Sequence, residues 1–191
     1  KDGGLSSIIL FRRNDKSIAE GPKERYREFI ANKLKIIVPS PEDEIKDQDT
    51  ADAFYAQCGV WLRQNTRDTK KFPILFGENI TYGFRRNLLG AKTFALWLNA
   101  IVVIACIFII RYFSHDISTP SGENIAVVFF VAVAHATYMA LAVNSNTVLD
   151  ASRAYGRELI LSCEHFLINE KISAKKNIRL KTAPKTESES P

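Results

Sequence analysis

The sequence predicts a mainly α-helical protein: a two-helix transmembrane hairpin, with both termini inside, whose helices extend into a small helical cytosolic domain. Three observations predict it. The run Thr93–Ile110 (TFALWLNAIVVIACIFII) is eighteen residues with no charge between Lys92 and Arg111. The run Asn124–Val143 (NIAVVFFVAVAHATYMALAV) lies in a stretch with no Asp, Glu, Lys or Arg between Glu123 and Asp150. Only residues 111–123 separate the two, and their net charge is −1, from Arg111 against Asp116 and Glu123. A hydrocarbon core ~30 Å thick needs about 20 mostly apolar residues at a rise of ~1.5 Å each, so both runs are long enough to span. The expected boundaries are 93–113 for the first span, 114–123 for a short external loop and 124–144 for the second span.

Orientation follows from the flanking charges. Arg85, Arg86 and Lys92 precede the pair of spans, and Arg153 and Arg157 follow it. The side richer in Lys and Arg is the cytoplasmic one, which predicts a multi-pass protein with both termini cytoplasmic.

The mean hydropathy of −0.09 over 191 residues averages two apolar blocks with a charged remainder. The charge of +5, from 26 Lys+Arg against 21 Asp+Glu, is too small an excess for a direct nucleic-acid-binding signature. Cys58, Cys106 and Cys163 are far apart and show no zinc-site spacing, so reduced, buried thiols facing a cytosol are expected. The sole methionine is Met139, so residue 1 is not expected to be a translation start; either the N-terminus was processed or more chain precedes it. Lys1–Leu10 lacks the length and flanks of a signal peptide.

In chain order, 1–77 is expected to be a mostly helical cytosolic region. Leu5–Phe11 (LSSIILF) is apolar and β-branched, and is expected as a short strand or as the tail of a preceding domain. Pro22 suits a first helical turn, so a helix is expected from there to about Leu34. It places Tyr26, Phe29, Ile30 and Leu34 on an apolar stripe, with Lys23, Glu24, Arg27 and Glu28 on a solvated face with internal ion pairs. Lys35–Val38 is a brief apolar link. Ser40, Pro41 and the acids Glu42, Asp43 and Glu44 form a helix start: a capping serine, a proline, then carboxylates at the positive end of the dipole. The helix is expected to restart at Asp49 or Thr50, with Phe54, Cys58, Trp61 and Leu62 on one face through about Gln64. This is core patterning, which assigns no ligand to Trp61 or Tyr55. Asn65–Lys71 is a polar turn closed by Phe72-Pro73.

Residues 78–92 (ENITYGFRRNLLGAK) are expected as a basic juxtamembrane helix with Ile80, Phe84, Leu88 and Ala91 on one stripe. Gly83 and Gly90 are points where it can bend. Two readings stay open: an interfacial helix with its arginines on lipid phosphate, or a soluble helix packed on its neighbours. Asn79-Ile80-Thr81 matches a glycosylation acceptor, which a cytosolic location makes idle. After the second span, Asn144–Thr147 is polar but carries no breaker, so one helix is expected to continue through 145–169. Val148, Leu149, Tyr155, Leu159, Ile160, Cys163, Phe166 and Leu167 give it a broad apolar face that needs partners: the N-terminal helices, a second copy, or both. Residues 170–191 are expected to be basic and then disordered, with five lysines and Arg179 and no acid in 171–185.

Intramembrane polar residues are the first functional candidates, because they are costly and face a bundle interior or water. They are His135, Asn99 and Asn144. For His135 two readings stay open: a pore-lining or gating residue, or a neutral imidazole bonded to Asn99, which lies at a similar depth. Ala132, Ala136 and Ala140 recur every four residues, the spacing that lets helices pack closely. Arg85, Arg86, Lys92 and Arg111 are the lipid-interface candidates, and Trp97, Tyr112 and Tyr138 are headgroup-level anchors or packing residues. Two spans cannot enclose an aqueous path, so conduction requires a homo-oligomer.

Catalysis finds no support. The chain has no G-x-S-x-G, P-loop, G-x-G-x-x-G or H-E-x-x-H. Asp150 with Glu158, or the acids of 42–52, match ordinary exposed helix faces, and Cys163 and His165 diverge on a helix. No enzyme activity, cofactor or metal is expected. The block ENITYGFRRNLLGAKTFALWLN, the paired spans and the helix DASRAYGRELILSCEHF together resemble two-transmembrane effectors of bacterial anti-phage systems, in architecture over Glu78–Phe166. Such effectors occur beside nucleotidyltransferases or reverse transcriptases. The resemblance implies a homo-oligomer in the bacterial inner membrane that permeabilises or depolarises it, as an ion channel or other membrane effector of antiviral defence. It also implies a cytosolic nucleotide-type ligand or a partner enzyme as the trigger, besides membrane lipids. The other expectation is a non-conducting anchor that tethers a protein-binding module or an upstream domain.

Overall fold

The segment Leu5–Phe11 is a helix, α1, and much of the first unit packs around it. The strand expected there is therefore corrected. Ser6, Ser7, Leu10 and Phe11 are buried and Ile9 is exposed, a helical rather than an alternating pattern. Tertiary packing overrides the β-branched propensity of Ile8 and Ile9.

The computed structural model describes residues 5–112 and 119–182. After α1 come α2 (Glu20–Leu34), α3 (Pro41–Lys46), α4 (Gln48–Asn65), α5 (Pro73–Tyr112), α6 (Pro120–Leu141), α7 (Ser145–Leu161) and α8 (Cys163–Thr182); no strand occurs among the described residues. The chain divides into two units, with junctions at Phe76/Gly77 inside α5 and Ser152/Arg153 inside α7.

In the first unit, α1 lies against α4, with α2 and α3 also on α4 and α8 on α2. The core joins Phe11, Tyr26, Phe29, Ile30, Phe54, Tyr55, Cys58 and Leu62 to Leu159, Ile160 and Cys163. The apolar face of α7 and α8 thus finds the N-terminal helices as its partners. Two glycines let α1 approach closely: a Cβ on Gly59 of α4 would stand 3.0 Å from the Ser7 hydroxyl, and one on Gly156 of α7 would stand 2.9 Å from Leu10. Trp61 packs edge-on against Phe29 and Phe166.

The face of α2 expected in solvent is partly the core. Lys23 and Arg27 are both 0 % exposed. They are buried because they satisfy the carbonyls at the end of α1. Lys23 Nζ donates to Arg12 O at 2.7 Å and Asp15 O at 2.6 Å and pairs with Glu20 at 3.2 Å. Arg27 donates Nε and Nη2 to Phe11 O at 3.2 and 2.9 Å, and Nη1 to Glu20 and Glu24. A helix C-terminus carries unpaired carbonyls and partial negative charge, so cations are favoured there. Buried charges persist only when paired and hydrogen-bonded, a condition both meet.

Helix starts follow local chemistry. Ser40 and Asp43 form a reciprocal capping box at α3. Asp47 caps α4 by accepting from Thr50 N, so that helix starts at Gln48, ahead of Asp49. The helix α2 starts at Glu20, two residues ahead of Pro22, with Ala19 at its N-cap and no side-chain cap.

The juxtamembrane segment leads directly into the first span, and the two are one 40-residue helix, α5, uninterrupted at Gly83 and Gly90. Two further boundaries are corrected. The start of α6 is Pro120, because Thr119 caps it by accepting from Gly122 N, so residues 120–123 belong to the helix and not to the loop. Residues 113–118 of the expected span end and loop lie outside the described residues. The second span, moreover, does not continue as one helix to 169. It ends at Leu141, and α7 restarts at Ser145 because Asn144 Oδ1 accepts from Thr147 N at 3.0 Å, an N-cap. A second break falls at Ser162, whose hydroxyl bonds Leu159 O at 2.6 Å and competes with the helical ladder. Past it, α8 is helical to Thr182, so 170–182 is not a tail; Lys, Ala, Arg and Leu are good helix formers. The disorder expected in 183–191 lies outside the described residues.

Removing one member of a buried, paired charge set costs far more than removing an exposed one. Lys23→Met is expected to destabilise the first unit by about 3 kcal/mol. Lys33→Met, which loses the exposed pair with Glu170 and the contact of its ammonium with the Phe29 ring, should cost only about 1 kcal/mol. Chemical unfolding followed by Trp61 fluorescence in a Trp97→Phe background measures both, and equal costs would contradict the packing role of Lys23.

Candidate functional site

In the second unit, α5 and α6 each contain a window apolar and long enough to cross a membrane, with mean hydropathies of 2.6 and 1.8. Only 6 % and 11 % of those windows are buried, unlike the core helices of a soluble protein. These are candidate membrane-spanning helices.

One polar pair interrupts their apolar surface. Asn99 Nδ2 lies 2.9 Å from His135 Nδ1 and 2.8 Å from Ala95 O. With the amide nitrogen as donor, Nδ1 is an acceptor and the ring proton is on Nε2. Asn99 is buried, whereas His135 keeps its outer edge exposed. Together with Val102, Val127, Val131 and Ala132 they line a groove of about 320 Å³. This bond corresponds to one of the two readings open for His135, an imidazole paired with Asn99 across the two helices. Asn144, expected beside them, is elsewhere: it caps α7 beyond the end of α6.

The alanine stripe is only partly a packing face. Ala132 is buried, Ala136 half-buried and Ala140 exposed. Met139 and Val143 are buried in its place, at 2 % and 4 %. The 132, 136, 139, 143 spacing is a seam with the heptad period rather than a strict four-residue stripe. Sequence reasoning missed Met139 here, although its position one heptad after Ala132 was the available sign.

The basic residues divide by what they bond. Lys92 Nζ donates to Ala140 O at 2.9 Å and Val143 O at 2.7 Å, the carbonyls left without helical partners at the end of α6. Arg85 Nη1 donates to Thr147 O at 3.0 Å in the first turn of α7. Arg86 stacks on Tyr82, 5.6 Å from the ring centroid, and Arg111 is exposed in the last turn of α5. Trp97, Tyr112 and Tyr138 are all exposed.

The other polar centre lies within the first unit. Arg12 binds Asp52 through both ends of its fork, and that hydrogen bond raises its pKa. Glu44 accepts from Tyr55 Oη at 2.8 Å, and from Arg13 through Nη1 at 2.8 Å and through its backbone N–H at 3.2 Å. Burial alone would raise the Glu44 pKa, but the bonds from Tyr55 and Arg13 outweigh it and hold the carboxyl below its ordinary 4.5. Burial and the Glu164 bond push Tyr26 up to about 12. Burial likewise pushes Cys58 and Cys163 up to about 12, the opposite of an activated thiolate. Cys163 is in the core and His165 packs on Phe72. Among the described residues no three His, Cys, Asp or Glu side chains gather as a metal site.

No family model, curated protein or solved structure matches the chain.

A carboxyl with a lowered folded pKa stabilises the fold above its unfolded value, and that stability is lost as pH falls through the folded one. The first unit is therefore expected to lose stability below about pH 4.5, where an unperturbed glutamate takes up its proton. Glu44→Gln should be less stable at pH 7 and flatter between pH 5 and 3 in thermal melts, to an extent set by about one titrating group. Parallel pH profiles for the two proteins would exclude this role.

Proposed function

We propose that the protein is an oligomeric two-pass effector of the bacterial inner membrane, in which a cytosolic helical unit receives a signal and the α5–α6 hairpin perturbs the bilayer. The observation that carries this reading is the continuity of α5. One helix starts with Leu75 in the core of the first unit and ends in the apolar window. A rearrangement of the helical unit would thus reach the membrane segment without an intervening loop.

The low burial of both apolar windows supports assembly as well as lipid exposure, since two helices leave most of their surface uncovered. The Lys/Arg-rich flanks support a cytoplasmic location for both termini. The trigger in this reading is a nucleotide-type ligand or a partner enzyme, and the setting is anti-phage defence, as the architectural resemblance implies.

The second reading, a non-conducting anchor, is favoured by a different observation. His135 already has a partner in Asn99, and Thr137 bonds the Val133 carbonyl of its own helix. One paired polar site is less than a water-lined path needs.

Flux from liposomes carrying the purified protein separates the two. The effector reading expects assembled protein to release a trapped ion, and His135→Leu to lower that release several-fold with assembly intact. Protein that assembles yet leaves the liposomes tight, with or without candidate nucleotides, would establish the anchor instead.

A further inference from the structure

The α6–α7 break sits beside a cavity that the proposed function does not use. It has a volume of about 200 Å³ and is lined by Phe84, Arg85 and Leu88 of α5, Tyr138 of α6, and Ala142 and Val143 of the break. Thr147, whose carbonyl takes the Arg85 hydrogen bond, closes the far side. At ~30 Å³ per water this is the space of about seven waters, enough for a phosphodiester group. We infer that this cavity binds the phosphate of an anionic phospholipid headgroup, with Arg85 as its principal cation. The inference rests on the reading of α5 and α6 as membrane-crossing helices.

Charge, shape and depth converge on that ligand. Arg85 is half-buried and uses Nη1 for Thr147 O, which leaves the rest of its five-donor fork for an anion. Lys92 is held at the same break by the carbonyls of Ala140 and Val143, adding positive charge beside the cavity. No carboxylate is among the lining residues. Tyr138 completes the lining, and Phe84, Leu88, Ala142 and Val143 offer apolar walls for the start of an acyl chain.

Depth is the deciding quantity. Lys92 marks the edge of the apolar run, and Leu88 and Arg85 precede it on the same helix by four and seven residues. At ~1.5 Å per residue they stand about 6 and 10 Å outside the hydrocarbon edge. The headgroup layer is about 5–8 Å thick on each side, so Leu88 lies within it and Arg85 stands at its outer rim, bonded to Thr147. Basic pockets between membrane helices at this level are recognised sites for anionic headgroups. A free cytosolic phosphate would find the same cation but no use for the apolar walls.

The test uses the full chain in phosphatidylcholine nanodiscs containing a minor fraction of phosphatidylglycerol, with retained lipid counted by native mass spectrometry. The wild type is expected to retain phosphatidylglycerol in preference to phosphatidylcholine. Arg85→Gln, which removes a charge-assisted contact, and Ala142→Phe, which fills the cavity but keeps every charge, should each lower that retention about tenfold. Arg153→Gln, which removes an exposed arginine outside the cavity, should leave it unchanged. Equal loss in Arg153→Gln would mean diffuse attraction to the surface and would overturn the site, as would unchanged retention in both cavity variants. Displacement by millimolar inorganic phosphate would overturn the lipid assignment in favour of a free anion. Failure of the membrane reading shows separately: wild-type protein released from membranes by an alkaline carbonate wash would overturn both readings, whereas retained protein without lipid preference overturns only this one.

Discussion

The end of α1 is the constraint on which the first unit depends. A seven-residue helix has too few internal hydrogen bonds to be stable alone, and its last carbonyls face inward. Lys23 and Arg27 reach them from α2, and Glu20 and Glu24 neutralise those cations at the unit's edge. Arg12 and Arg13, in the turn that follows α1, are in turn tied to Asp52 of α4 and Glu44 of α3. Helices α2, α3 and α4 are thus fixed to the same short stretch of chain, α2 through its carbonyls and α3 and α4 chiefly through the side chains of Arg13 and Arg12. The close approaches at Gly59 and Gly156 add α4 and α7 to the same helix from its sides.

The second unit obeys the opposite rule. Its apolar side chains are left outside, and its few polar groups are paired locally. Asn99 meets His135, and Lys92 covers the carbonyls at the end of α6. In a hydrocarbon medium each unpaired backbone group costs several kcal/mol, which is why a helix end near the bilayer edge attracts a cation. The same lysine marks the edge of the apolar run and stabilises the break that follows α6. Position and hydrogen bonding therefore reinforce one another at this point.

What was legible in the sequence was what depends on local pattern or on length. The two apolar runs, the Ser40 cap, the core stripe of α4 and the depth match of Asn99 with His135 needed nothing beyond spacing. What was not legible depends on partners distant in the chain. Lys23 and Arg27 read as solvated because nothing in α2 reveals that the carbonyls of Phe11, Arg12 and Asp15 wait above them. Ile8 and Ile9 favoured a strand until burial of Ser6, Ser7, Leu10 and Phe11 imposed a helical face. Asn144 and Ser162 carry a legible sign, since both residue types bond the backbone in ways that end helices, but a polar residue within a long apolar pattern is also tolerated by a helix. Asn144, expected in the membrane interior, has the chemistry of a cap.

The central claim is that α5 and α6 cross a membrane with the helical unit on the inner side, and single-cysteine accessibility tests it most directly. The three native cysteines are buried, so the wild type serves as the blank. Lys16→Cys and Ser173→Cys place exposed thiols on the first unit, and Ser121→Cys places one at the start of α6. In intact spheroplasts a membrane-impermeant thiol reagent should label Ser121→Cys alone, and the other two only after permeabilisation. Labelling of Lys16→Cys or Ser173→Cys in intact spheroplasts, or protection of Ser121→Cys, would contradict the account.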